Sequence, residues 1–344
     1  MLNIEALEAA IIQLPDENPF SGVVHICKGG EPIFSRAYDF ADKANARPNN
    51  LNTKFAVASG SKTFTAAAIC HLVDQGNLSF DTPLSECLSG VFPQFDPAVT
   101  VHHLLTHTSG IPDYFDEEKM DDYAALWAEI PMYNIRKPAD FLPLFGHLPM
   151  KFTPGERFAY NNSGYIVLGL IIEQVSGMPY TDYAVKYIFE PCGMTGSGFY
   201  ETDRLPENTA YGYMRGENGD WRTNFFSVPI VGGADGGVFV TAPDMARFWD
   251  HLRHHHLLSD ESTRKMLTPY HTFTYMDDTP GGYGYGLWIR MHGDDVYIYH
   301  AEGGDPGVEF ISGVCEAQNI DFSVISNTED GVEAVSSLIF EALG

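Results

Sequence analysis

The two ends of this chain read as strands and its middle does not, and that division constrains the fold more than any single motif. Near the N-terminus, Val23–Lys28 and Pro32–Tyr38 flank Gly29-Gly30, the pattern of a β-hairpin turning on two glycines. Near the C-terminus, Val296–His300, Val308–Val314 and Ile320–Ser326 are apolar runs separated by turn residues, and read as three more strands. Helical spacing brackets both groups. Ile4, Leu7, Ile11 and Leu14 recur before a stop at Pro15, and Val335, Leu338, Ile339 and Ala342 share one side of a last helix. Between these ends, 13 of the 21 prolines fall from Pro83 to Pro229, so no long regular element fits there except short helices such as Tyr165–Ser176 and Asp182–Phe189.

The expected architecture is α+β in a single domain. An antiparallel sheet is assembled from the N- and C-terminal segments, 1–75 and 236–344, with flanking helices, and a mostly helical subdomain over 76–235 is inserted between them. A groove between two such lobes is a common place for a small-molecule site.

Composition narrows the partners. A chain of 344 residues with 44% hydrophobic content builds a large core, and 19% charged residues is too few for a disordered chain. Its 46 acidic residues against 20 basic ones give a net charge of −26, which disfavours nucleic acid and anionic lipid surfaces. The longest apolar run, Tyr165–Ile172, falls well short of the roughly 20 residues of a membrane span. The N-terminus shows no basic, apolar leader pattern, and the five cysteines form no CxxC pair. Reduced thiols in a cytoplasmic setting, with no structural metal and no cofactor, are therefore expected.

The chemistry begins at Ser59. A helix opening near Ser59 and closing at Gly76 places Lys62 three residues on, on the same face. A serine hydroxyl becomes a nucleophile when a neighbour takes its proton, and a lysine kept neutral by its surroundings can do so. Further along, His103-Leu-Leu-Thr-His107-Thr-Ser-Gly110 reads as a short helix ending in a turn anchored by His107. Tyr160 and Asn162 are spaced to aim a phenol and a carboxamide into one cleft, and the strand at Tyr297–His300 runs into the Gly303-Gly304 edge. His251 and His254–His256 read as a solvated helix end, and Glu117, Glu118, Asp121 and Asp122 as a solvated loop face bordering the cleft.

Taken in order over residues 20–330, these segments resemble the serine β-lactamase and penicillin-binding-protein superfamily, closest to its class C branch. That branch also holds D-alanyl-D-alanine carboxypeptidases, D-aminopeptidases and esterases. The resemblance is carried by S-x-x-K at Ser59–Lys62, the H-L-L-T-H-T-S-G-I block at 103–111 and Y-x-N at Tyr160–Asn162. The Gly-rich block 232–243 and Tyr283-Gly-Tyr-Gly-Leu287 add to it. It implies that Ser59 is acylated and that Lys62 and Tyr160 share its proton. Asn162 would hold Lys62 and the substrate amide, and the N–H groups of Ser59 and of Gly304 or Gly303 would form the oxyanion hole. Tyr114 and Phe115 would wall the site. No segment resembles the class A loop with its deacylating glutamate.

The third motif departs from the pattern. Relatives carry Lys-Thr-Gly or His-x-Gly on this strand, whereas here Ala301 lies two before Gly303 and His300 one place too early. Side chains alternate along a strand, so His300 faces away unless a β-bulge near Ala301 turns it back. Glu302 would then take part of the role, and a glutamate repels the carboxylate that a lysine attracts. The expected activity is hydrolysis of a neutral or cationic ester, amide or small peptide through an acyl-enzyme on Ser59. A D,D-carboxypeptidase or class C-like β-lactamase ranks below it, and a non-catalytic ligand-binding relative below that.

Overall fold

Eight antiparallel strands form the spine of the molecule: β1 Gly22–Lys28, β2 Glu31–Tyr38, β3 His271–Thr274, β4 Pro280–Tyr283, β5 Trp288–His292, β6 Asp295–Asp305, β7 Val308–Cys315 and β8 Ile320–Ser326. They lie in the order β2-β1-β8-β7-β6-β5-β4-β3, so the N-terminal hairpin docks on the last strand of the chain. The computed structural model describes residues 3–14, 20–128, 130–216 and 219–343. The expected helix stop at Pro15 lies outside them. Gly29 and Gly30 both take positive φ, 61° and 81°, which is what a tight turn between β1 and β2 requires. The fold is α+β, with helix and antiparallel sheet mixed as the terminal segments imply.

Alternation along the strands gives the sheet two buried faces. Val24, Phe322, Val324 and Ile311 face one core, covered by helices Ile4–Ile12 and Val332–Leu343. Val23, Ile325, Phe310 and Val314 face the other and larger core. There the helix Ala242–Arg253 lies on the sheet, and its Trp249 Nε1 donates to Ser312 Oγ at 2.9 Å. Helix Ser61–Asp74 also belongs to this core and packs against helix Asn162–Ser176 of the proline-rich middle. It has no polar face: every residue from Ser61 to Cys70 is buried, Lys62 included. An all-round buried helix must satisfy each polar group inside the protein, and the site is built from that demand.

β6 runs further than the sequence pattern suggests, continuing through Gly303 and Gly304 to Asp305. Its pairing with β5 ends at Trp288↔His300, whereas its pairing with β7 continues to Asp305↔Val308. The backbone of 301–305 therefore shows one free edge, and that edge adjoins the turn that carries Ser59. A Cβ on Gly303 would sit 2.5 Å from Val57 O and 2.6 Å from Ser59 N, so only glycine lets the strand and the turn touch. Gly303→Ala is expected to push the turn off the strand, lowering stability by about 1–3 kcal/mol and slowing any acylation of Ser59. Thermal unfolding and the acylation rate check this; both unchanged would contradict the close approach.

Candidate active site

Ser59 sits in a single 3-10 turn, Ala58–Gly60, ahead of the helix Ser61–Asp74. Ala58 has φ 46°, a left-handed conformation that costs a residue with a Cβ about 1–2 kcal/mol. The surroundings hold it there. Ala58 O accepts from Gly237 N–H at 3.1 Å and from the Ser61 hydroxyl at 2.9 Å, and Val57 N–H donates to Val238 O at 3.0 Å. Pairing of Phe55–Ala56 with Phe239–Val240 brings the Gly-rich block alongside the turn. Ser59 then opens into a cleft of about 1360 Å³ between the sheet edge and the helical lobe.

Lys62 Nζ lies 2.9 Å from Ser59 Oγ, 2.8 Å from Asn162 Oδ1 and 2.7 Å from the carbonyl oxygen of Asp235. Burial pulls its pKa down, opposed by the carboxylates of Asp235, Glu117, Asp113 and Asp305. A neutral amine has two N–H donors and one lone pair. Asn162 Oδ1 and Asp235 O only accept, so they take the two donors and leave the lone pair facing the Ser59 hydroxyl. The orientation of the Asn162 amide is set by its other end, where Nδ2 donates to Phe115 O and Glu117 Oε1, both at 3.3 Å.

The Tyr160 ring lies 5.0 Å from Lys62 Nζ, between Trp288, stacked at 5.9 Å, and His107 at 4.4 Å. Burial pushes its hydroxyl well above the usual range, while its interaction with Ser59 acts the other way. Burial thus drives both Lys62 and Tyr160 toward their neutral forms.

The first residues of helix Asn162–Ser176 are fixed by a buried carboxyl group. Asp113 accepts from the N–H groups of Asn162 and Ser163, both at 2.9 Å, and Asn161 caps the helix by accepting from Gly164 N–H at 2.7 Å. Burial raises Asp113 to about 7 against the pull of those bonds and of Lys62. Asn162 is therefore a helical residue rather than part of a turn. His107, at φ 55°, accepts the Asn161 N–H on Nδ1 at 3.1 Å. Its proton is then on Nε2, which donates to the Tyr283 hydroxyl at 3.0 Å. Burial keeps this ring neutral, and it braces Tyr160 from behind.

Tyr114 lines the cleft and is almost fully buried. Its hydroxyl donates to the Asp235 carboxylate and lies 3.2 Å from the Tyr123 hydroxyl. Glu117 is exposed, yet it is not just a solvated loop residue, because it touches Asn162. Asp235 and Asp305 also line the cleft beside Ser59. Sequence reasoning missed this group of carboxylates. Both aspartates sit inside glycine-rich blocks, 232–243 and 303–307, and only their place among glycines pointed toward the backbone they ride on.

The strand at the third motif runs straight. β6 and β7 pair without a register shift from Tyr299↔Val314 to Asp305↔Val308, so no bulge at Ala301 brings His300 round. Ala301 and Gly303 face the Ser59 turn. His300 faces the other core, fully buried against Phe340 and Tyr275. Glu302 leaves the strand on the His300 side and reaches the cleft around the free edge. Gly304 opens onto the cleft, with nothing within 4 Å of where its Cβ would be.

A sheet-and-helix-lobe protein with a serine, a buried lysine and a tyrosine converging at a strand edge is the class that this fold and site define. The chain belongs to the Beta-lactamase family, whose profile matches residues 7–342. It is 31% identical to "Penicillin-binding protein 4*" of Bacillus subtilis (strain 168) over 88% of this chain. It is 28% identical to a D-aminopeptidase of Cereibacter sphaeroides over its whole length. The chain spans 66% and 64% of the lengths of these two curated relatives. Among solved structures, that of a penicillin binding protein from Bacillus halodurans superposes with TM-score 0.90 at 45% identity, covering 99% of this chain and 100% of the other. Among the described residues no helix is long and apolar enough to cross a membrane, and no group of three or more metal-binding side chains occurs.

If Tyr160 passes the proton between Lys62 and the leaving group, Tyr160→Phe is expected to lower kcat/KM by roughly 10²–10⁴ with the fold intact. Steady-state kinetics with far-UV circular dichroism checks this; a loss below about threefold would remove Tyr160 from proton transfer.

Proposed function

We propose that this protein is a serine hydrolase that acylates Ser59 with an ester, amide or small peptide whose reacting end is neutral or carries an amine. The observation that carries the reaction is the Lys62 geometry: two of its three neighbours only accept, and the third is Ser59 Oγ at 2.9 Å. Ser59 Oγ attacks the substrate carbonyl carbon as its proton passes to Lys62. The oxyanion is met by the N–H groups of Ser59 and Gly304. The carbonyl–leaving-group bond then breaks, and the leaving oxygen or nitrogen takes the proton from Lys62 through Tyr160. Water attacks the acyl-enzyme, gives its proton back along the same pair, and releases the acid and free Ser59.

The substrate class follows from charge. Among the described residues lining the cleft are ten carboxyl side chains and one guanidinium, that of Arg290. Arg290 is already paired with Asp277 at 2.7 Å. Such a cleft attracts a substrate ammonium and repels a carboxylate, which places penicillins and D-Ala-D-Ala termini below amine-bearing substrates. The likeness to a D-aminopeptidase supports a D-amino-acid amide or short D-peptide with a free amine as the first compounds to test. Asp305 and Glu117, whose fields reach Lys62, are the nearest candidates to hold that amine.

A D-aminoacyl amide is expected to exceed its N-succinylated, anionic counterpart in kcat/KM by tenfold or more, and Asp305→Asn to cut that ratio several-fold. Burial and the neighbouring Asp235 raise Asp305 to about 7. It is an anion only above that value, and the substrate's α-amine is a cation only below about 8, so the amine preference is expected to peak between about pH 7 and 8 and to fall on either side. Equal rates for the two substrates across this range would contradict the reading.

A further inference from the structure

Behind the strand edge lies a pair of polar groups that the reaction above does not use. His300 is wholly buried on β6, and its Nδ1 has no hydrogen-bond partner, although it lies 3.5 Å from Glu302 Oε2. The other ring nitrogen is accounted for. The Tyr275 hydroxyl donates to Ile289 O at 3.4 Å, so it accepts the Nε2 proton of His300 at 3.3 Å. That leaves a lone pair on Nδ1 aimed at a carboxyl oxygen, an arrangement that is favourable only with a proton between them. Glu302 is half-exposed, and its outer side lines the cleft.

We propose that Glu302 and His300 share one proton, and that this proton sets which charge the cleft tolerates on the substrate where it passes the free edge of β6. With the proton in place Glu302 is neutral and bonded back to His300. Without it Glu302 is an anion facing the substrate. No bond other than that of the proton is made or broken, and the proton comes from solvent.

The groups around Glu302 decide where the exchange falls. β5 presents Arg290, held by Asp277 of the turn between β3 and β4 and sandwiched by Tyr275 at 4.3 Å and Phe340 at 4.2 Å. Tyr160 and Tyr283 feel the Glu302 charge from the nucleophile side. The C-terminal helix brings Phe340 against His300 and Glu333 to the cleft wall. Burial raises Glu302 to about 7 with Arg290 opposing, and burial together with Arg290 drops His300 to about 3. His300 therefore stays neutral throughout, and Glu302 is the member that changes charge near neutral pH.

The consequence for substrates rests on Ser59 being the nucleophile, but the proton pair does not, so two measurements separate them. In the first, NMR of ¹³C-labelled glutamate and ¹⁵N-labelled histidine follows Glu302 and His300 from pH 5 to 9. A Glu302 midpoint near 7, with His300 neutral and protonated on Nε2, is expected. His300→Phe, which removes the acceptor of the Glu302 proton, should move that midpoint down by a unit or more. A Glu302 midpoint in the ordinary carboxylate range, or one that His300→Phe leaves in place, would overturn the pair.

The second measurement compares two thioesters, N-phenylacetylglycyl thioglycolate and its thioglycolamide, which differ only by a carboxylate on the leaving group. Their kcat/KM ratio, anionic over neutral, should fall about tenfold from pH 6 to pH 8.5, and that fall should shrink to about threefold or less in Glu302→Gln, where Asp305 still gains its charge near 7. A flat ratio in the wild type, or a fall that Glu302→Gln leaves undiminished, would contradict the assignment. Absence of turnover would count against Ser59 instead; the two thioesters are then stable ligands, and the same ratio is read from their dissociation constants.

Discussion

A lysine enclosed on every side is the constraint from which the rest of this structure follows. The helix that carries Lys62 is buried all round, so its amine finds partners only in protein, and they come from three distant parts of the chain: the turn at Ser59, the helix start at Asn162 and the loop at Asp235. Leaving such a group unpaired would cost several kcal/mol. The helical lobe and the glycine-rich loop must therefore close on the sheet together. Each partner is braced in turn, Asn162 by Asp113, Ser59 by the strained Ala58 turn, and Asp235 by the Tyr114 hydroxyl.

Opposing electrostatic demands meet at the same place. Dehydration drives Lys62 toward the neutral form a base needs, while four carboxyl groups pull it back toward the ammonium. Those carboxyl groups are themselves raised where they are buried, Asp113 and Asp305 to about 7, so they press less on Lys62 than their number suggests. A cleft of this kind holds its charge near the point of change at neutral pH. The amine preference and carboxylate tolerance proposed above would thus be functions of pH rather than fixed properties of the surface.

Much of this was legible in the residues. The hairpin over Gly29-Gly30, the terminal strands and the last helix stand out because their apolar period is intact, and the Ser59–Lys62 spacing works because both lie within one helical turn. The reading weakened where glycine carries structure. β6 extends through Gly303 and Gly304, which read as breakers, and β4 is Pro280-Gly281-Gly282-Tyr283, with no alternation to read. Asp235 and Asp305 were missed because backbone and loop closure, not a side-chain pattern, aim them at Lys62. The orientation of His300 turned on register, which a neighbouring strand decides; β7 pairs straight through and sends His300 to the far core.

Intact-protein mass after incubation with a small uncharged serine-reactive phosphonate, wild type beside Ser59→Ala, tests the central claim most directly. The arrangement at Lys62 predicts a single adduct on the wild type and none on the variant. Folded wild-type protein that takes up no adduct, or an adduct that persists in Ser59→Ala, would show that Lys62 does not make Ser59 a nucleophile.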